Sequence, residues 1–119
     1  MPYDLSVPAE SSIEVPGSDD NYIDYSGDVD TYRVYLPGLH SYEFDVFGGT
    51  DADGGTFDPT LALYDGNGTQ VAFDDDSGSG LDAHVDYWAD SGGWYTLAVA
   101  GYGDDTGDYN LTTSADWLA

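Results

Sequence analysis

Apolar side chains recur at every second position along this chain, and helical spacing does not recur at all, which confines it to extended structure. In Thr31-Tyr-Arg-Val-Tyr-Leu36, the residues Tyr32, Val34 and Leu36 share one face. In Ser41-Tyr-Glu-Phe-Asp-Val-Phe47, Tyr42, Phe44 and Val46 share one face while Glu43 and Asp45 share the other. Similar short runs lie at about 12–15, 22–25, 60–65, 69–73, 82–88, 94–100 and 108–114. Between them stand turn signals: Pro37-Gly38, Asp65-Gly-Asn-Gly68, Ser91-Gly-Gly93 and Thr106-Gly107. Many short strands at near-regular spacing predict an all-β sandwich or barrel. The 119 residues suit one domain spanning 1–119, with the first dozen and last five residues as edge extensions.

Charge narrows the partners. Twenty-four acids face a single base, Arg33, for a formal net charge of −23. Nucleic acid is excluded, because phosphate binding needs Lys and Arg to release counterions. Anionic membrane surfaces are disfavoured for the same reason, and no apolar run is long enough to span a bilayer. A chain this acidic repels itself, so a saline setting, halophilic or marine, or bound cations are expected to support it. At 1 M salt the Debye length is about 3 Å, which quiets most surface repulsion. Cysteine is absent, so disulfides and thiolate metal sites are excluded. Met1-Pro-Tyr-Asp4 does not read as a signal peptide. If the protein is secreted, its export signal is expected outside this segment.

The order of the elements carries a family likeness. Gly27-Asp-Val-Asp-Thr-Tyr-Arg-Val-Tyr-Leu36 resembles the opening G-D-x-D-x-[FY]-x-V of bacterial pre-peptidase C-terminal (PPC) domains. Ser41-Tyr-Glu-Phe-Asp-Val46, Asp58-Pro-Thr-Leu-Ala-Leu-Tyr-Asp65 and Gly68-Thr-Gln-Val-Ala-Phe-Asp-Asp-Asp76 follow in the family's order. Gly93-Trp-Tyr-Thr-Leu-Ala-Val99 and Gly107-Asp-Tyr-Asn-Leu111 close the series, so that the resemblance covers about 12–114. It implies a jelly-roll-like antiparallel β-sandwich of about 8–10 short strands, appended to secreted hydrolases or calcium-dependent surface proteins. It also implies a non-catalytic role, binding calcium in some members and a polymer in others. The acidic segment that holds calcium in collagenase members is replaced here by Pro8-Ala-Glu-Ser-Ser-Ile-Glu14, so those ligands are not carried over.

In an antiparallel sandwich alternate connections lie at opposite poles. The connections before 30–36 and at 48–59, 74–81 and 101–107 then share one pole, and they hold most of the loop aspartates. Calcium takes six to eight oxygens from flexible carboxylates and carbonyls. Asp74, Asp76 and Asp58 are the leading candidate ligands, Asp30 and Asp104 the contributors from neighbouring loops, and Asp75 a reserve. A solvated acidic face served only by bulk cations is the other reading.

Period two also turns His84, Asp86 and Trp88 outward, together with Trp94, Thr96 and Ala98. A hairpin through 89–93 sets Trp88 opposite Trp94, as a stacking platform for a sugar ring or an apolar protein edge, or as mutual packing within the sheet. His40 and His84 show no zinc motif. No nucleophile elbow occurs, and only Arg33 or a metal stands ready to stabilise developing negative charge, so no catalytic residue is assigned. The expected function is a calcium-binding, non-catalytic accessory module of a larger exported protein, secreted or at a bacterial or archaeal cell surface. It is expected to be monomeric when isolated, and to bind a glycan or protein polymer or a partner domain. The alternative is a purely structural, calcium-rigidified spacer or terminal domain of an adhesin or protease.

Overall fold

The computed structural model describes residues 11–25, 27–51, 54–75, 82–103 and 105–117. They form nine strands: β1 (Ser11–Ser12), β2 (Gly17–Ile23), β3 (Val29–Leu36), β4 (His40–Asp51), β5 (Pro59–Tyr64), β6 (Gln70–Asp74), β7 (Ala83–Ala89), β8 (Gly93–Gly101) and β9 (Gly107–Ala115). One sheet has the order β1-β3-β8-β5-β6 and the other β2-β9-β4-β7. Only the two-residue β1 runs parallel to its neighbour, β3. From β2 onward each strand falls in the sheet opposite its predecessor, except at the β5–β6 hairpin. That wrapping is the double Greek key of an eight-stranded jelly roll, a β-sandwich as expected.

The alternation read from the sequence builds the inner faces. Tyr32, Val34 and Leu36 of β3 meet Tyr42, Phe44 and Val46 of β4 in one buried core, joined by Leu61, Leu63, Val85, Tyr95, Leu97, Val99 and Leu111. Burying each large apolar side chain contributes roughly 1.5–3 kcal/mol, which is what offsets the chain entropy and the self-repulsion.

Two elements depart from expectation. The runs at 12–15 and 22–25 are not strands in their own right; β1 takes in only Ser12 of the first, and β2 runs from Gly17 and ends at Ile23, within the second. Its alternation is polar on both faces until Ile23, so hydrophobic patterning leaves it invisible. Pairing with β9 along all seven residues holds it in place. The loop before β5 supplies a core residue, Phe57, which is fully buried. Glycines let the backbone close around it. A Cβ on Gly48 would lie 2.1 Å from the Phe57 carbonyl oxygen, and one on Gly107 would lie 2.8 Å from the Phe57 Cβ.

Candidate functional site

Hydrogen bonds join the loops that the jelly roll gathers at one pole. The Asp58 amide donates to Asp105 Oδ2 at 2.9 Å, and the Tyr102 amide to the Asp58 carbonyl at 2.8 Å. Gly48 donates to Asp82 Oδ1 at 2.9 Å, His84 N–H to Asp74 Oδ2 at 2.8 Å, and Asp24 N–H to Asp28 Oδ2 at 3.0 Å. The pole's carboxylates therefore cap backbone N–H groups across its loops, a charge-assisted bond stronger than a neutral one. Of the expected ligands, Asp58 and Asp74 sit at this pole. Asp76 and Asp104 lie outside the described residues. Among the described residues, no three pole carboxylates bring their oxygens within 4.8 Å of one another.

Asp30 turns inward from β3 and is 7% exposed. The Tyr109 hydroxyl donates to its Oδ2 at 2.7 Å and lies 2.7 Å from the Tyr32 hydroxyl, which donates to Asp19 Oδ2 at 2.9 Å. This chain ties β2, β3 and β9 together across the two sheets. Two phenolic protons serve three contacts, so all three are hydrogen bonds only when one terminal carboxyl also carries a proton. Burial, more than any neighbouring charge, pushes the Tyr32 phenol up to about 12 and the Tyr109 phenol higher still.

The paired-indole platform is corrected by the topology. Trp88 and Trp94 do face outward, half exposed, but β7 and β8 belong to different sheets. The 90–92 connection arches over the end of the sandwich, so the indoles stand on opposite outer faces. A tight turn with Gly-Gly reads alike in sequence whether it closes a hairpin or an arch. Trp94 is engaged within its own sheet, with the Arg33 guanidinium 4.2 Å over its ring and Tyr35 edge-on at 5.4 Å. Trp88 is fixed differently: its indole N–H donates to Asp90 Oδ1 at 2.7 Å. Beside it, Ser41, Glu43, Asp86 and Asp116 border a shallow hollow of about 380 Å³.

On the same outer face, β4 and β7 pair Asp45 with His84 and Glu43 with Asp86. His84 Nδ1 lies 2.5 Å from Asp45 Oδ1, and its Nε2 lies 3.0 Å from Asp86 Oδ1. The hydrogen bond to Asp45, aided by the charges of Asp45 and Asp86 against partial burial, holds the imidazole above its ordinary pKa. Sequence reading placed these side chains outward but missed their meeting, since two strands intervene between β4 and β7 in the chain.

No family model matches the sequence, and no curated protein does; the likeness is to solved structures. The pre-peptidase C-terminal domain of a Bacillus anthracis collagenase is similar over 91% of this chain and 98% of its own, with a TM-score of 0.67 and 19% identity. CorA, a surface-associated copper-binding protein of Methylomicrobium album, is similar over 89% of this chain and 98% of its own, with a TM-score of 0.63 and 10% identity. A periplasmic inhibitor of g-type lysozyme from Salmonella Typhimurium is similar over 89% and 99%, with a TM-score of 0.54 and 13% identity. At these identities the fold is what is shared. The jelly-roll-like sandwich implied by the PPC motifs is the one observed, and the neighbours that share it include both a copper-binding protein and a lysozyme inhibitor.

Proposed function

We propose that this domain is a non-catalytic accessory module of a larger exported protein, holding a polymer on the outer face of the β2-β9-β4-β7 sheet. The observation that carries the reading is Trp88. Its indole is half exposed, its N–H is pinned by Asp90, and carboxylates and a serine hydroxyl border the hollow beside it. A fixed aromatic face next to hydrogen-bond acceptors suits the apolar face and hydroxyls of a sugar ring. The net charge favours a neutral glycan over any polyanion. Trp94, as exposed as Trp88 but engaged by Arg33 over its ring and by Tyr35 edge-on, serves the sheet instead.

Calcium is the expected companion. Asp58 and Asp74 concentrate negative charge at the pole, and a divalent cation relieves that repulsion. Ligand that binds only the folded state adds about 2.7 kcal/mol at one hundred times Kd.

Both parts are tested together. Chelator-treated protein is melted in calcium, magnesium and sodium at matched ionic strength, then offered insoluble cellulose, chitin and collagen. Calcium is expected to raise the melting temperature by several degrees more than sodium does, an advantage lost in Asp74→Asn with Asp76→Asn. Trp88→Ala is expected to lose binding by at least about tenfold, since stacking on an aromatic ring is worth on the order of 1–3 kcal/mol by analogy with nucleobases. Trp94→Ala keeps binding and costs stability. Equal stabilisation by all three salts removes the calcium site and leaves a salt-screened acidic surface. Binding untouched by Trp88→Ala removes the proposed face, and no binding to any polymer favours the structural spacer.

A further inference from the structure

Glu43, Asp45 and His84 each present one ligand atom, and these atoms all lie within 4.8 Å of one another. We propose that these three side chains form a site for one divalent d-block cation, of the zinc or copper(II) class, on the outer face of β4 and β7. The donor chemistry sets the class: an imidazole with carboxylates suits zinc and copper, whereas calcium and magnesium take oxygen donors alone.

The imidazole is already oriented for the task. Its two nitrogens face different carboxylates, Nδ1 toward Asp45 at 2.5 Å and Nε2 toward Asp86 at 3.0 Å. With Asp86 accepting the Nε2 proton, Nδ1 is the nitrogen turned toward Asp45, and its lone pair becomes available for the ion once the proton it shares with Asp45 has left. A ligating histidine typically has its second nitrogen held by a carboxylate in this way, which fixes the tautomer and raises its basicity. Asp86 is thus a positioning residue. The backbone is fixed too, because Asp45 and His84 are directly paired across two hydrogen-bonded strands. Zinc bonds of about 2.0–2.2 Å are reached by side-chain adjustment, with water completing the tetrahedron. The entering ion displaces the proton that Asp45 and His84 share, and that proton leaves to solvent. The bound ion clasps β7, an edge strand, to β4. His40 pairs with one carboxylate among the described residues, Asp116 at 2.8 Å, beside the edge-on Trp117 ring, and provides an internal control.

The test is calorimetric titration of chelator-stripped protein with zinc chloride, in excess calcium chloride and high salt so that diffuse attraction to the acidic surface is suppressed. One zinc per chain is expected. Affinity is expected to fall more than about 100-fold in His84→Gln and by about 10–100-fold in Asp86→Asn, with His40→Gln unchanged. Copper(II) is expected to show one nitrogen ligand by electron paramagnetic resonance in the wild type and none in His84→Gln. Should a variant not fold, zinc-dependent shifts of the His84 ring resonances in the wild type, with His40 unmoved, report the same site. Zinc uptake no stronger than that of calcium, uptake indifferent to His84→Gln, or ring shifts at both histidines would overturn the assignment.

Discussion

Phe57→Ala is expected to lower the stability of the domain by about 3–5 kcal/mol, the cost of removing a fully buried aromatic ring from a packed core. The melting temperature then falls by more than about 10 °C. The ring reaches the core from a loop, and the glycines around it leave no space for the backbone to close over a void. Gly48→Ala is expected to be comparably costly, because its new Cβ would overlap the Phe57 carbonyl at 2.1 Å. Phe73 is exposed on β6 and provides the control: Phe73→Ala should change stability by no more than about 0.5 kcal/mol. Thermal and chemical denaturation of the three variants decide the matter. A loss under 1 kcal/mol for Phe57→Ala would show that the acidic pole repacks without its plug.

Tyr109→Phe is expected to cost about 1–3 kcal/mol, because it withdraws a hydroxyl from the buried chain running from Asp19 to Asp30 and leaves polar atoms to be satisfied there. Tyr32→Phe interrupts the same chain at its next link. The phenols also give a pH signature. Their folded pKa values are raised above the unfolded value by burial, so their contribution is complete below about pH 10 and is lost as the pH climbs through about 12 for Tyr32. Absorbance of phenolate during an alkaline titration is expected to show Tyr32, Tyr95 and Tyr109 ionising late, together with unfolding, and unfolding comes at a lower pH in Tyr109→Phe. Ionisation of all eleven tyrosines near pH 10 with the fold intact would contradict the buried chain.

What could be read beforehand was whatever period two writes into one strand. The inward sets on β3, β4 and β8 were legible because Tyr32, Val34 and Leu36, and their counterparts, alternate with polar residues. Loop polarity was legible too, because antiparallel strands alternate direction whatever their partners. Sheet membership was not. Nothing in Ser91-Gly-Gly93 separates a hairpin from an arch, so Trp88 and Trp94 were set side by side although a whole sandwich divides them. The meeting of Glu43 and Asp45 with His84 was hidden for the same reason, since it depends on a pairing between strands far apart in the chain. Asp30 looked like a pole residue because it begins a strand, yet its even position shares a face with Tyr32 and turns it to the interior. Phe57 carried no periodic signal at all.

An edge strand of the five-stranded sheet, β6, ends in Phe73 and Asp74, and among the described residues no further strand pairs along its outer side, a margin that suits pairing with a passing extended chain. In neutral dilute buffer, copies of this molecule meet as polyanions and do not come close enough to zip together. The sequence pI is about 4.1, so mild acid cancels that mutual repulsion while the ribbon of backbone and the exposed phenyl remain. Colloidal behaviour is thereby tied to acidity: the protein is expected to stay dispersed at neutral pH and to grow turbid, strand against strand, as the pH approaches 4. Concentrated brine shortens the reach of the same repulsion. The charge on this surface is also what keeps that border from becoming a template.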